Sequence, residues 1–218
     1  MRPPPNREPG DDRTTSYIIE TLGDDIDKAY KRLSKDWEKP DAEGMFPYDE
    51  TDAREFVRAA FAAIEGISFS IRIWCAARLL REKRMSEQER MMVAEVAIDL
   101  RDGKIVERNA KITLEENVKF TFALLDRFYR KRKPTLDVGK EWWSGFKKSV
   151  RVRDRLMHPR WPSDLDISPE EVVGITATDG GFREMLSQYR TPGGTKKRIR
   201  TAKKSGKSNR LRVSNGVN

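Results

Sequence analysis

One histidine stands among the 218 residues, His158, and it closes the run Arg153-Asp-Arg-Leu-Met-His158. No other side chain has an ordinary pKa that lets it gain and lose a proton near neutrality. Imidazole chemistry therefore has one address per chain, and a reaction needing both a general base and a general acid needs two chains. Arg153 offers a planar, five-donor cation suited to a carboxylate, a phosphate or a second subunit's cleft. Asp154 sits one helical turn before His158 and could hold a ring nitrogen, fixing the tautomer. The same residues also fit a plainer arrangement. An imidazolium would complement a helix C-terminus, Asp154 would pair with Arg151 or Arg155, and Arg153 would sit in an ordinary ion pair.

These residues need a helix to position them, and the spacing predicts one from about Val138 to His158. Trp143, Phe146, Val150 and Met157 repeat at helical intervals, and Pro159 disfavours helical geometry at His158. Arg153 takes the place in that apolar row between Val150 and Met157, aimed at whatever the helix packs against. An unpaired guanidinium there would be costly. Glu65, in the middle of another helix beside Ile64, is a candidate partner.

Arg153 to His158 resembles the Arg-polar-x-x-x-His motif of the HEPN superfamily, small all-α proteins that include many ribonuclease toxins and antiviral effectors. The resemblance covers roughly residues 50 to 190 and leaves out the N-terminal helix and the C-terminal tail. It implies a helical bundle with the motif late in the chain, and a homodimer in which two motifs face each other. The implied activity is metal-independent RNA cleavage by 2′-hydroxyl attack, without a cofactor. Arg153, Asp154 and His158 are then the expected catalytic residues, with RNA as substrate and a protein antitoxin or regulator as a further partner.

Composition sets bounds on this reading. Hydrophobic content of 37% against 36% charged is low for a chain folded throughout. The net charge of +9 belongs to the last 28 residues, which hold nine Lys and Arg and no acid, leaving 35 basic and 35 acidic residues before them. Lys196, Lys197, Arg198, Arg200, Lys203 and Lys204 are the expected nucleic-acid contacts of a disordered basic tail, residues 191–218. Without an aromatic residue, that tail has nothing to stack on bases. One cysteine, Cys75, excludes an internal disulfide, and one His with one Cys excludes a closed Cys/His zinc site within a chain. A carboxylate-bound metal stays open. The N-terminus has no apolar signal core, and Arg72 interrupts the most apolar run, so the expected location is cytoplasmic, without a membrane partner.

Taken in order, residues 1–13 read as a flexible lead. Ile18, Leu22, Ile26, Tyr30, Leu33 and Trp37 then mark a helix, which Gly23 is placed to kink and Lys39-Pro40 stops; residues 40–49 connect. Phe56, Ala60, Ile64, Ile67, Ile71, Trp74 and Arg78 predict one long bundle-spine helix over about 51–84, with Cys75 on its apolar side. Ser86-Glu-Gln-Glu89 opens a short helix with a capping box. Alternation at Val96, Ile98 and Leu100, then Asp102-Gly103, predicts an inserted β-hairpin that could return through Lys111-Ile112. Thr113-Leu-Glu-Glu116 is a second capping box, opening a helix with Leu114, Val118, Phe122, Leu125 and Tyr129 inward. Ser168-Pro-Glu-Glu171 is the third; its helix is expected to be short, with Gly174 and Asp179-Gly-Gly181 separating it from a last piece, Phe182 to Tyr189.

The expected fold class is all-α: a HEPN-like helical bundle over 50–190 with a small hairpin insert, preceded by an N-terminal helix and connector over 14–49. A Ser-His-Asp hydrolase, the other enzyme class that one histidine permits, is disfavoured by the lack of a Gly-x-Ser-x-Gly elbow and of α/β alternation. The competing class is a dimeric helical module that binds RNA or a protein and catalyses nothing. Trp142, Trp143 and Trp161 flank the motif and serve either as packing residues or as base-stacking surfaces.

Overall fold

A computed structural model describes residues 10–35 and 48–189. The basic segment from residue 191 onward, with its six expected nucleic-acid contacts, lies outside the described residues, as do the first nine residues and most of the 40–49 connector. Among the described residues, six α-helices and one two-stranded antiparallel sheet follow in chain order. They are α1 (Asp12–Leu33), α2 (Glu50–Arg81), α3 (Glu87–Val93), β1 (Val96–Arg101), β2 (Lys104–Asn109), α4 (Leu114–Phe128), α5 (Glu141–Met157) and α6 (Pro169–Ser187). A single 3-10 turn over Pro162–Leu165 joins the last two helices. The protein is mostly helical with one small hairpin, as its periodicities predict.

The spine is α2. Asp49 caps it, accepting from Thr51 N–H at 2.8 Å and Asp52 N–H at 3.1 Å, and half of its 32 residues are buried. Its length and composition would suffice to cross a membrane, but 67% of the apolar window is buried inside the bundle, as in a core helix. α1 lies antiparallel on it, with Ile26, Ala29 and Leu33 buried and Arg78 and Trp74 both bonded to Asp12. The lead thus ends earlier than expected, since Asp11 caps α1 and Gly10 lies against Ile73. α1 also runs unbroken through Gly23. α4 packs along α2 in the same direction, pairing Thr121 with the Ser68 carbonyl and the Trp74 ring with Phe128.

The two capping boxes at Ser86 and Ser168 form completely. The one at Thr113 forms by half: its hydroxyl accepts from Glu116 N–H, while the Glu116 carboxylate turns to Lys119 at 2.7 Å. In the hairpin, Asp102 and Gly103 both take positive φ, 49° and 72°, the two-residue turn that suits strand twist. Its return strand ends at Asn109, short of Lys111-Ile112.

The main correction concerns α6, one continuous helix of 19 residues where the glycines led us to expect two pieces. Gly181 has a tertiary purpose. A Cβ there would lie 2.1 Å from the Trp142 ring, which stacks on Phe146 and donates to the Thr178 carbonyl at 3.2 Å. Helix–helix approach, not a break, selects glycine. Gly181→Ala is therefore expected to lower stability by about 1–3 kcal/mol through overpacking. Gly180→Ala, where the Cβ meets open space, should raise it by about 0.5–1 kcal/mol. Thermal denaturation of the two variants checks this; equal effects would refute the packing account.

Candidate functional site

The helix carrying the motif, α5, starts at Glu141 rather than Val138, which is exposed, and His158 is its C-cap, with its backbone N–H donating to the Asp154 carbonyl at 3.1 Å. The buried face rotates along the helix. Trp143, Phe146 and Val150 lead into the core, but Val152 and Leu156 take over in the last two turns. Met157, expected on the apolar row, consequently faces solvent at 48% exposure.

The end of α5 is fastened. Arg155 grips Glu171 of α6 through two bonds of 2.8 Å and also donates to the Asp166 carbonyl. Past Pro159, the Asp164 carboxylate accepts from the backbone N–H groups of Arg160 and Trp161 at 2.7 and 2.9 Å, which hold its carboxyl below the ordinary range. The chain around the imidazole is thus anchored on both sides. The His158 ring is exposed and makes no side-chain hydrogen bond among the described residues, and Trp161 beyond it is 71% exposed.

The bond from Arg155 also has a pH consequence. It draws the Glu171 carboxyl below its ordinary value of 4.5, and the Trp74 indole with Arg78 does the same for Asp12 from 3.8. A depressed folded pKa stabilises the fold above the unfolded pKa and is lost as pH falls through the folded one. Melting temperature should therefore fall as pH drops below about 4.5, and Glu171→Gln should flatten that part of the curve. A pH-independent melting point over this window would contradict the assignment.

Arg153 leans toward α2. Its guanidinium pairs with Glu65, the partner expected from sequence, and with Asp154 at 2.9 Å. The Asp154 carboxylate therefore serves Arg153 and does not orient His158; Arg151 and Arg155 are not its partners either. Arg153, Asp154 and Glu65 line an open groove of about 820 Å³ between α2, α4 and α5, whose walls also include Phe69, Arg72 and Asn117. His158 stands outside this groove at the helix end. The structure brings together Arg153 and Asp154 and leaves the imidazole a turn away, free in solvent.

Arg72 is the residue that sequence reasoning undervalued. Its side chain is 2% exposed, donates through Nη2 to Glu95 at 2.9 Å, and lies 5.6 Å from the centre of the Phe69 ring. Its Nε and Nη1 have no partner among the described residues, and neither does Asn117 Oδ1 on the same groove. The signal was available: an arginine inside the most apolar run must be offset by pairing with an acid. A second groove, of about 510 Å³, runs beside the C-terminal half of α4. Lys119, Arg127, Lys131 and Arg132 line it, and the acid there, Asp126, is tied to Thr135 and Tyr189.

Among the described residues no group of three or more His, Cys, Asp or Glu could hold a metal ion. Cys75 is buried, and desolvation pushes its thiol up to about 12, so it carries no nucleophile. Trp143 is buried and Trp142 half-buried, which makes both packing residues, while Trp161 remains free to stack. Compared with protein-family models, curated proteins and solved structures, the chain matches none of them.

Proposed function

We propose that the chain is a metal-independent endoribonuclease of HEPN type that acts as a homodimer, in the role of a toxin or antiviral effector. The observation that carries this reading is the unencumbered, solvent-facing His158 ring on a helix end fastened by Arg155, with Arg153 on the same helix reaching into an open groove. One imidazole removes the proton from a ribose 2′-hydroxyl, whose oxygen attacks the adjacent phosphorus. The second chain's imidazole protonates the departing 5′-oxygen. The products are a 2′,3′-cyclic phosphate and a 5′-hydroxyl. Arg153 meets the charge that develops on the phosphoryl oxygens, exchanging Glu65 for the phosphate. The groove lined by Lys119, Arg127, Lys131 and Arg132 offers a path for flanking backbone phosphates.

The test is incubation of the full chain with single-stranded RNA in EDTA, with His158→Ala alongside. Cleavage that persists in EDTA, ends in cyclic phosphate and is lost in the variant supports the mechanism. Cleavage abolished by EDTA, or equal in both proteins, removes it. The pairing of Arg153 with two carboxylates favours a second reading, a non-catalytic dimeric module that binds RNA or a protein partner. RNA bound but left intact by a verified dimer would select that one.

A further inference from the structure

Among the described residues the hairpin leaves a strand edge and an apolar face without a partner. Ile98, Leu100 and Ile105 are 55%, 69% and 77% exposed, and among the described residues the sheet has no strands besides β1 and β2. Two strands alone are marginally stable in water, and an open edge is a template for another strand. The register is Leu100 to Ile105 and Ile98 to Glu107, which puts Val96, Ile98, Leu100 and Ile105 on one face.

The hydrogen-bonding pattern decides which groups are free. A two-residue turn leaves its flanking residues, Arg101 and Lys104, as a bonded pair. Ala97, Asp99 and Arg101 therefore aim their backbone groups at β2, and the Ala110 N–H bond to the Glu95 carbonyl at 2.7 Å continues the series. Val96, Ile98 and Leu100 aim theirs outward. The Leu100 N–H marks this edge by turning to the side chain of Asp99, at 2.9 Å, for want of a strand.

We infer that β1 pairs with β1 of a second copy of this chain, antiparallel and centred on Ile98, making a four-stranded sheet across a two-fold axis. The strand is complementary to itself in that register. Ile98 meets Ile98, Val96 meets Leu100, and about six main-chain hydrogen bonds close the outward edge. Arg101 falls opposite Glu95 of the other copy, twice by symmetry, and Glu95 is 45% exposed and able to take a second cation. The outer edge of β2 lacks this fit. Centred on Val106 it opposes Lys104 with Arg108, and centred on Glu107 it opposes two carboxylates. Pairing of this kind uses the hairpin alone and needs neither His158 nor RNA.

Sedimentation equilibrium of the full chain across the micromolar range should give twice the chain mass of 25.2 kDa. Ile98→Lys, which sets two ammonium groups against each other on the axis without touching a bond between β1 and β2, should weaken association at least about tenfold. The buried Cys75 gives a silent background for cross-linking. Under mild oxidation Ile98→Cys should form a covalent dimer, because opposed residues of a bonded pair lie about 5.5 Å apart between Cα atoms, inside the disulfide range. Glu107→Cys should not. A wild-type monomer, an Ile98→Lys variant that associates like wild type, or cross-linking through Glu107→Cys in place of Ile98→Cys would overturn the assignment. A dimer held through the α5 ends alone would also have twice the chain mass, so the Ile98→Lys and cross-linking results decide the strand pairing, independently of whether any of these proteins cleaves RNA.

Discussion

Mixing wild-type protein with His158→Ala protein, and letting subunits exchange, is expected to reduce RNA cleavage as the square of the wild-type fraction. At equal amounts about one quarter of the activity should remain, against about one half if each chain worked alone. Stoichiometry sets this outcome. Each polypeptide has one imidazole, while cyclisation consumes one proton acceptor and one proton donor. A hybrid dimer keeps one of the two, so its turnover should drop by about 10²–10⁴-fold, the usual worth of a positioned acid or base. Arg153 should behave differently. Under the proposed mechanism its truncation should remove phosphate stabilisation on both sides, and Arg153→Lys should restore little, because an ammonium does not reproduce a planar two-pronged contact. Cleavage that falls linearly with the wild-type fraction would refute the shared site.

Glu95→Ala is expected to destabilise the fold by about 3 kcal/mol, whereas Arg72→Met should leave stability unchanged or raised by about 1–4 kcal/mol. The two variants break the same ion pair from opposite ends. Losing Glu95 strands a guanidinium that is 2% exposed, with Nε and Nη1 already lacking partners among the described residues. The penalty sits at the low end of what such a loss costs, because Glu95 itself is half in water and solvent can enter where it stood. Losing Arg72 removes the charge together with its unsatisfied donors, and methionine fills a similar volume beside Phe69. Urea denaturation measures both. A large loss in Arg72→Met would mean that the buried cation has partners worth more than its desolvation costs.

Local chemistry made most of the fold legible. Ser86, Thr113 and Ser168 each precede an apolar row, and each caps a helix; Asp102-Gly103 can be little other than a tight turn. The errors arise where a distant residue decides. Gly181 is glycine because of Trp142, 39 positions away in the chain, and no local rule separates such a glycine from a helix breaker. Met157 fits the period of Trp143 and Val150, yet α5 changes neighbours over its last turns, and the Arg155–Glu171 grip turns Met157 outward.

The candidate site was legible in part for the same reason. Glu65 could be matched to Arg153 because Arg153 stands in an apolar row and needs an acid, and Glu65 lies beside Ile64 in the middle of the spine helix. Asp154 was misdirected because helical spacing aligns it with His158, whereas its side-chain conformation carries it to the adjacent Arg153. Arg72 was visible as an interruption but not as a groove wall, since its burial depends on Glu95, which arrives through the turn between α3 and β1.

The position of α2 early in the sequence has a bearing on how the protein is made. α1 can cover one side of it as soon as both have left the ribosome, but the sides that receive α4, α5 and α6 must wait for the remaining residues through Tyr189 to be synthesised. During that interval a long, strongly apolar rod is half wet, and the nascent chain presents to chaperones the same surface that later becomes the interior of the bundle.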